Sequence, residues 1–223
     1  MKTTTAVAIL SLIPSSLWAT NITITGFDLN RTLPILFNLD GEERVAGAGV
    51  MLATLDDTTS IETLCADLFE GINFFESYEA LTVAAPAYHP NGGAAGWLLE
   101  NYLPWIETSE QGAALQFAIW DVLHDGGDGF DAGRIRSNVY TDATVLQLAS
   151  DWVAGSSGQS STLAYVFLPA PGGPSFQEQL YLAARGQESD PPQADTPEPG
   201  SLLLLGAGLL GLARRRGCIL RRP

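Results

Sequence analysis

The sequence predicts an α+β domain: an antiparallel β-sheet or sandwich with an inserted helical subdomain. Three observations lead there. Segments with two-residue apolar alternation, the mark of strands with one buried face, lie toward both ends of the chain. Three segments with helical periodicity occupy the middle, and Gly, Pro, Asn and Asp punctuate the boundaries. Strands on either side of a helical block fit helices inserted between parts of one sheet.

The elements follow in order. Ile22 and Ile24 alternate with Thr23 and Thr25, so the folded part opens on a strand. Residues 45–52, 78–83 and 162–168 read likewise, each bounded by turn formers. The first helix starts near Ala94 and stops before Pro104, carrying Trp97, Leu98, Leu99 and Leu103. The second starts at Thr108 or Ser109, because Thr108 and Gln111 have capping-box spacing, and runs through Leu115, Ala118, Ile119, Val122 and Leu123. The third starts at Thr141 or Asp142 and ends at Gly155, with Val145, Leu148, Ala149 and Trp152 at helical intervals.

Both ends of the chain are addresses. Lys2, an apolar stretch and the small residues before Thr20 read as a secretory signal peptide over residues 1–19. Residues 186–200 form a Pro- and acid-rich linker that cannot bury a core, which leaves one expected domain over residues 20–185. Residues 201–223 join an apolar run to Arg214, Arg215 and Arg216. That order stops a segment in a bilayer with its arginines on the cytoplasmic side. As a helix, the run from Ser201 to Ala213 would span only ~20 Å, short for a permanent anchor, so a transient transmembrane stay is expected. Pro197, Glu198 and Pro199 stand just before it. The tail as a whole resembles the PEP-CTERM sorting signal. The resemblance implies recognition by an exosortase and removal of the tail. Delivery would be to the outer surface or extracellular matrix of a Gram-negative bacterium that makes extracellular polysaccharide, as in a biofilm.

Of the 11 basic residues, Lys2, Arg214, Arg215, Arg216, Arg221 and Arg222 lie in these ends, whereas all 25 acidic residues stay in the mature part. A surface this acidic repels nucleic acid and suits divalent cations or neutral and basic partners. The cysteines are sharper. Cys218 falls in the segment to be removed, so Cys65 has no disulfide partner within a domain headed for an oxidising compartment. Something must protect it or use it.

Gln116 is the odd member of its helix. It lies one turn before Trp120 and shares a side with Ile119, and a buried amide needs either hydrogen-bond partners or a covalent fate. Backbone partners would be the ordinary solution. The run Leu115-Gln116-Phe117-Ala118-Ile119-Trp120 resembles the glutamine element of the thioester domains of bacterial surface adhesins, and Leu64-Cys65-Ala66-Asp67 resembles their cysteine element. Leu64 replaces the aromatic residue that often precedes that cysteine. The resemblance implies a Cys65–Gln116 thioester, and Trp97, Phe117 and Trp120 are candidates, by their proximity in the sequence, for the apolar wall that keeps water from it. An amine on a surface protein or matrix component would open it in one covalent turnover. No cofactor is required, and the chain is not expected to be a turnover enzyme.

His89 and His124 are the two imidazoles available as a base. After His124, the loop containing Asp125, Asp128 and Asp131 among glycines offers oxygen ligands to a hard cation such as calcium. It fits one copy of the GGxGxD repeat and lacks EF-hand spacing; a solvated acidic loop is the alternative. Two rival functions remain at this level. One is a structural or carbohydrate-binding matrix protein with a merely buried Cys65, and the other a cysteine hydrolase with a histidine base.

Overall fold

A computed structural model describes residues 19–183. Residues 1–18 of the expected signal peptide, the whole linker with Pro197-Glu198-Pro199, and the apolar tail lie outside the described residues, whereas Ala19 already belongs to the first strand. No helix among the described residues is long and apolar enough to cross a membrane.

The expected α+β architecture is present. Seven strands, β1 (Ala19–Leu39), β2 (Glu42–Leu55), β3 (Thr59–Cys65), β4 (Ser77–Ala84), β5 (Ile135–Ser137), β6 (Ala164–Pro169) and β7 (Gln179–Leu182), form one antiparallel sheet in the order β2-β3-β7-β6-β4-β1-β5. Because β1 also pairs with β2, six of them close into a ring with β5 on its margin. The first half of β1 shows the closure directly: Ile22 faces Leu55 on one side and Tyr78 on the other. Closure leaves few unpaired strand edges.

Between β4 and β6 come the helices α1 (Ala85–Tyr88), α2 (Gly92–Tyr102), α3 (Ser109–Asp125) and α4 (Ala143–Ser156), with a 3₁₀ turn at Leu103–Trp105 after α2. Each predicted helix is found close to its predicted start. Thr108 and Gln111 make the reciprocal capping box of α3, and the Asp142 carboxylate accepts from the N–H groups of Thr144 and Val145 to start α4.

Helix α3 is the spine of the domain, with every residue from Gly112 to Leu123 buried. It packs across β1 and β2. Gly112 sets the approach: a Cβ there would lie 1.9 Å from the Arg31 carbonyl oxygen, so only glycine lets the helix come this near the strand. Farther along, Phe37 of β1 stacks on Trp120 at 5.8 Å and meets Phe117 edge-on at 5.6 Å.

Candidate functional site

β3 ends at Cys65, which pairs with Gln179 of β7 while Leu64 pairs with Leu180. The α3 helix lays Gln116 against that strand end. The Cys65 N–H donates to Gln116 Oε1 at 2.8 Å, and Gln116 Nε2 donates to the Cys65 carbonyl at 2.8 Å. The carboxamide thus behaves like one more strand residue alongside Cys65, and both of its ends are satisfied in a fully buried setting. Sequence reasoning paired these two residues, and the fold brings them together from 51 positions apart.

The thiol has its own partner. Cys65 Sγ donates to Gln177 Oε1 at 2.9 Å, and Gln177 Nε2 in turn donates to the Asp67 carbonyl. Burial, with a smaller contribution from the Asp67 charge, pushes the thiol up to about 12. It is therefore protonated at neutral pH. Deeper along the same strands, Thr63 donates its hydroxyl proton to Gln179 Oε1. After Cys65, the chain turns at Asp67, whose carboxylate accepts from the N–H groups of Phe69 and Glu70.

The two histidines sit differently. His124 Nε2 lies 2.8 Å from the Ala66 carbonyl oxygen, so that nitrogen carries the proton and Nδ1 keeps its lone pair. Burial lowers its pKa and keeps the ring neutral, and Phe69 meets it edge-on. His124 is thus held beside the residue after Cys65. His89 instead uses Nδ1 to accept from the N–H of Asn91, the residue that starts α2, which is a local structural duty. Nearby, the Tyr88 hydroxyl is hydrogen-bonded to the Glu178 carboxylate, and the Glu178 carbonyl accepts from Ala66 N–H.

Of the expected shield, Phe117 and Trp120 are fully enclosed, and Phe130 stacks on Phe117 at 4.1 Å. The indole N–H of Trp120 has no acceptor among the described residues. Trp97 belongs to a separate aromatic group. It meets Tyr102 edge-on, and Tyr102 stacks on Trp152 of α4 at 4.5 Å.

The acidic loop gathers differently from its sequence reading. Oxygens of Asp121, Asp125 and Asp128 lie within 4.8 Å of one another, and Asp131 is exposed and outside the group. The cause is local. Phe130 turns inward onto Phe117, which leaves its neighbour Asp131 outward, while Asp121 and Asp125 stand one turn apart on the same face of α3.

A family profile for the PEP-CTERM protein-sorting motif matches residues 195–216. The chain carries a PEP-CTERM sorting signal. The PEP-CTERM match covers Pro197, Glu198, Pro199 and the apolar run through Arg216, and it marks an exported protein processed by an exosortase. No curated protein and no solved structure matches the chain, so the folded part of this PEP-CTERM protein is read from its own geometry.

Three residues of the site escaped sequence reasoning. Gln177 and Gln179 alternate on the approach to β7, two glutamines at strand spacing, and that repetition of an uncommon core residue was the available signal. Asp121 was marked by its four-residue spacing to Asp125.

Proposed function

We propose that this exosortase-sorted protein attaches covalently to an amine-bearing surface or matrix partner through a thioester between Cys65 and Gln116. The observation that carries the reading is the seating of the Gln116 carboxamide on the Cys65 peptide by two 2.8 Å hydrogen bonds in the core. Sγ attacks the Gln116 carboxamide carbon, the C–N bond breaks, and ammonia leaves with the thiol proton. The Cys65 N–H already points at Oε1, where negative charge gathers in the tetrahedral intermediate. The second hydrogen bond, from Nε2 to the Cys65 carbonyl, holds the departing nitrogen and is lost with it.

The thiol's high pKa means that its proton must be taken by a base, and the neutral imidazole of His124 is the one placed next to the Cys65 strand end. An incoming lysine amine then attacks the thioester carbonyl, forms an amide with the former Gln116 side chain and returns the Cys65 thiol. Each molecule reacts once. A cavity of about 380 Å³ opens beside Leu68 and Phe69 of the segment after Cys65, with Glu42, Arg44 and the Arg134-paired Asp40 on its wall.

A second reading has its own support. Both ends of the Gln116 amide are satisfied without any covalent step, which suits a non-covalent matrix or carbohydrate-binding protein with an inert Cys65. Methylamine separates the two. Under the thioester reading it leaves a methylamide on Gln116 and a newly free thiol, detected by peptide mass spectrometry; an unmodified Gln116 supports the second reading.

A further inference from the structure

We propose that the C-terminal end of α3 and the loop that follows form a calcium site, with carboxylate ligands from Asp121, Asp125 and Asp128. The three oxygens lie within 4.8 Å of one another, a spread that a cation with ligands at about 2.4 Å can bridge. The independent sign of a missing ligand is Asp121. Its side chain is fully buried, and Oδ1 has no hydrogen-bond partner among the described residues. The other oxygen, Oδ2, receives only a 3.3 Å contact from Gly129 N–H. A buried carboxylate with one empty oxygen is costly unless a cation or a proton fills it.

The surroundings favour a cation. The neighbouring arginines make their hydrogen bonds elsewhere, Arg134 in a two-pronged contact with Asp40 and Arg136 Nε to the Gly133 carbonyl, so their charges act on the cluster only from a distance. Among the described residues, no ion pair neutralises the three carboxylates. All three gather at the negative end of the α3 dipole, where carboxylates are disfavoured and cations favoured.

The loop is also shaped to hold the group open. Asp125 Oδ2 accepts from the N–H groups of Arg134 and Ile135 at 2.6 and 2.8 Å, fixing that carboxylate. At Gly133 a Cβ would fall 2.3 Å from Asp125 Oδ2 and 2.7 Å from Asp128 Oδ2, so any side chain would enter the space between the ligands. An all-oxygen, carboxylate-rich set suits a hard cation. Calcium fits better than magnesium, which demands a strict octahedron and keeps most of its water.

The site has a structural consequence. Phe130 ties the loop to Phe117 on α3, and the Arg134 guanidinium lies over the Phe69 ring at 5.6 Å, on the segment that follows Cys65. Filling the site fastens the far end of the helix that carries Gln116. The inference does not depend on the thioester, because neither Cys65 nor Gln116 is a ligand.

The test is calcium titration of the full chain, purified in detergent and stripped with a chelator. One calcium should bind per chain, and the melting temperature should rise by about 5 °C or more at a hundredfold excess over Kd. Asp128→Asn, at an exposed position, should fold and lose both effects; Asp131→Asn should keep them. Wild-type protein that takes up no calcium would overturn the site, as would an Asp128→Asn chain that binds calcium like the wild type. A protonated-carboxyl infrared band that Asp121→Asn removes, and that persists at saturating calcium, would likewise assign a proton in place of the metal.

Discussion

Gln116 and Asp121 sit little more than one turn apart on α3, and both are fully buried. Gln116 finds a strand end that answers its donor and its acceptor, so it costs the fold little. Asp121 finds one long contact and leaves an oxygen empty. Burial and the neighbouring charges of Asp128 and Asp125 push it up to about 7. The difference separates two uses of a buried polar group. One is complete before any chemistry happens, and the other waits for a ligand.

Breaking the complete region should cost most. Gln116→Ala leaves the Cys65 N–H and carbonyl unpaired in the core and opens a cavity, with an expected loss of about 3–5 kcal/mol in urea unfolding. A loss below 1 kcal/mol would show that the clamp is dispensable. Phe130→Ala removes the stack on Phe117 that joins the two regions, and about 3 kcal/mol should go with it.

The incomplete region should be exposed by pH. In metal-free protein, the Asp121 pKa is raised from 3.8 to about 7 on folding, so the folded state binds the extra proton. Its stabilising effect is complete below about pH 4 and is lost as pH rises through 7. His124 runs the opposite way, since its lowered pKa weakens the fold as pH falls below 6.5. Comparing wild type with Asp121→Asn cancels the histidine contribution. The difference between their stabilities should shift in favour of the variant from pH 4 to pH 8, as read by thermal unfolding; a flat difference would contradict the burial of that carboxylate. Asp131→Asn, outside the cluster, should change stability by less than about 0.5 kcal/mol at any pH.

The helices were legible because their signals are local. The Thr108–Gln111 capping box and the periodicity of Leu115, Ile119 and Val122 stand in adjacent turns. β1, β2, β4 and β6 were visible through alternation, although β1 runs on to Leu39 and turns into β2 at Asp40-Gly41, both at positive φ. That Asp-Gly pair is itself a hairpin signal. β3 and β7 were hidden. In β3, Thr63, Leu64 and Cys65 are all buried, and Thr63 hides the apolar rhythm because its hydroxyl is answered by Gln179, far away in the chain. The Cys65–Gln116 pairing was readable from residue types, whereas Gln177 as the thiol's partner depends on β7 closing beside β3. As a linear motif the loop offers Asp125, Asp128 and Asp131, whereas the inward turn of Phe130 leaves Asp131 outside and brings Asp121 of the helix into the group.

The most direct measurement is intact and peptide mass spectrometry of the exported protein, kept free of amines, with Cys65→Ser in parallel. A mass short by one ammonia in the wild type alone, with Cys65 and Gln116 recovered in one cross-linked peptide pair, is the predicted result. Full unmodified mass with a Cys65 that labels once the chain is unfolded would contradict the account and leave Gln116 as a non-covalent clamp.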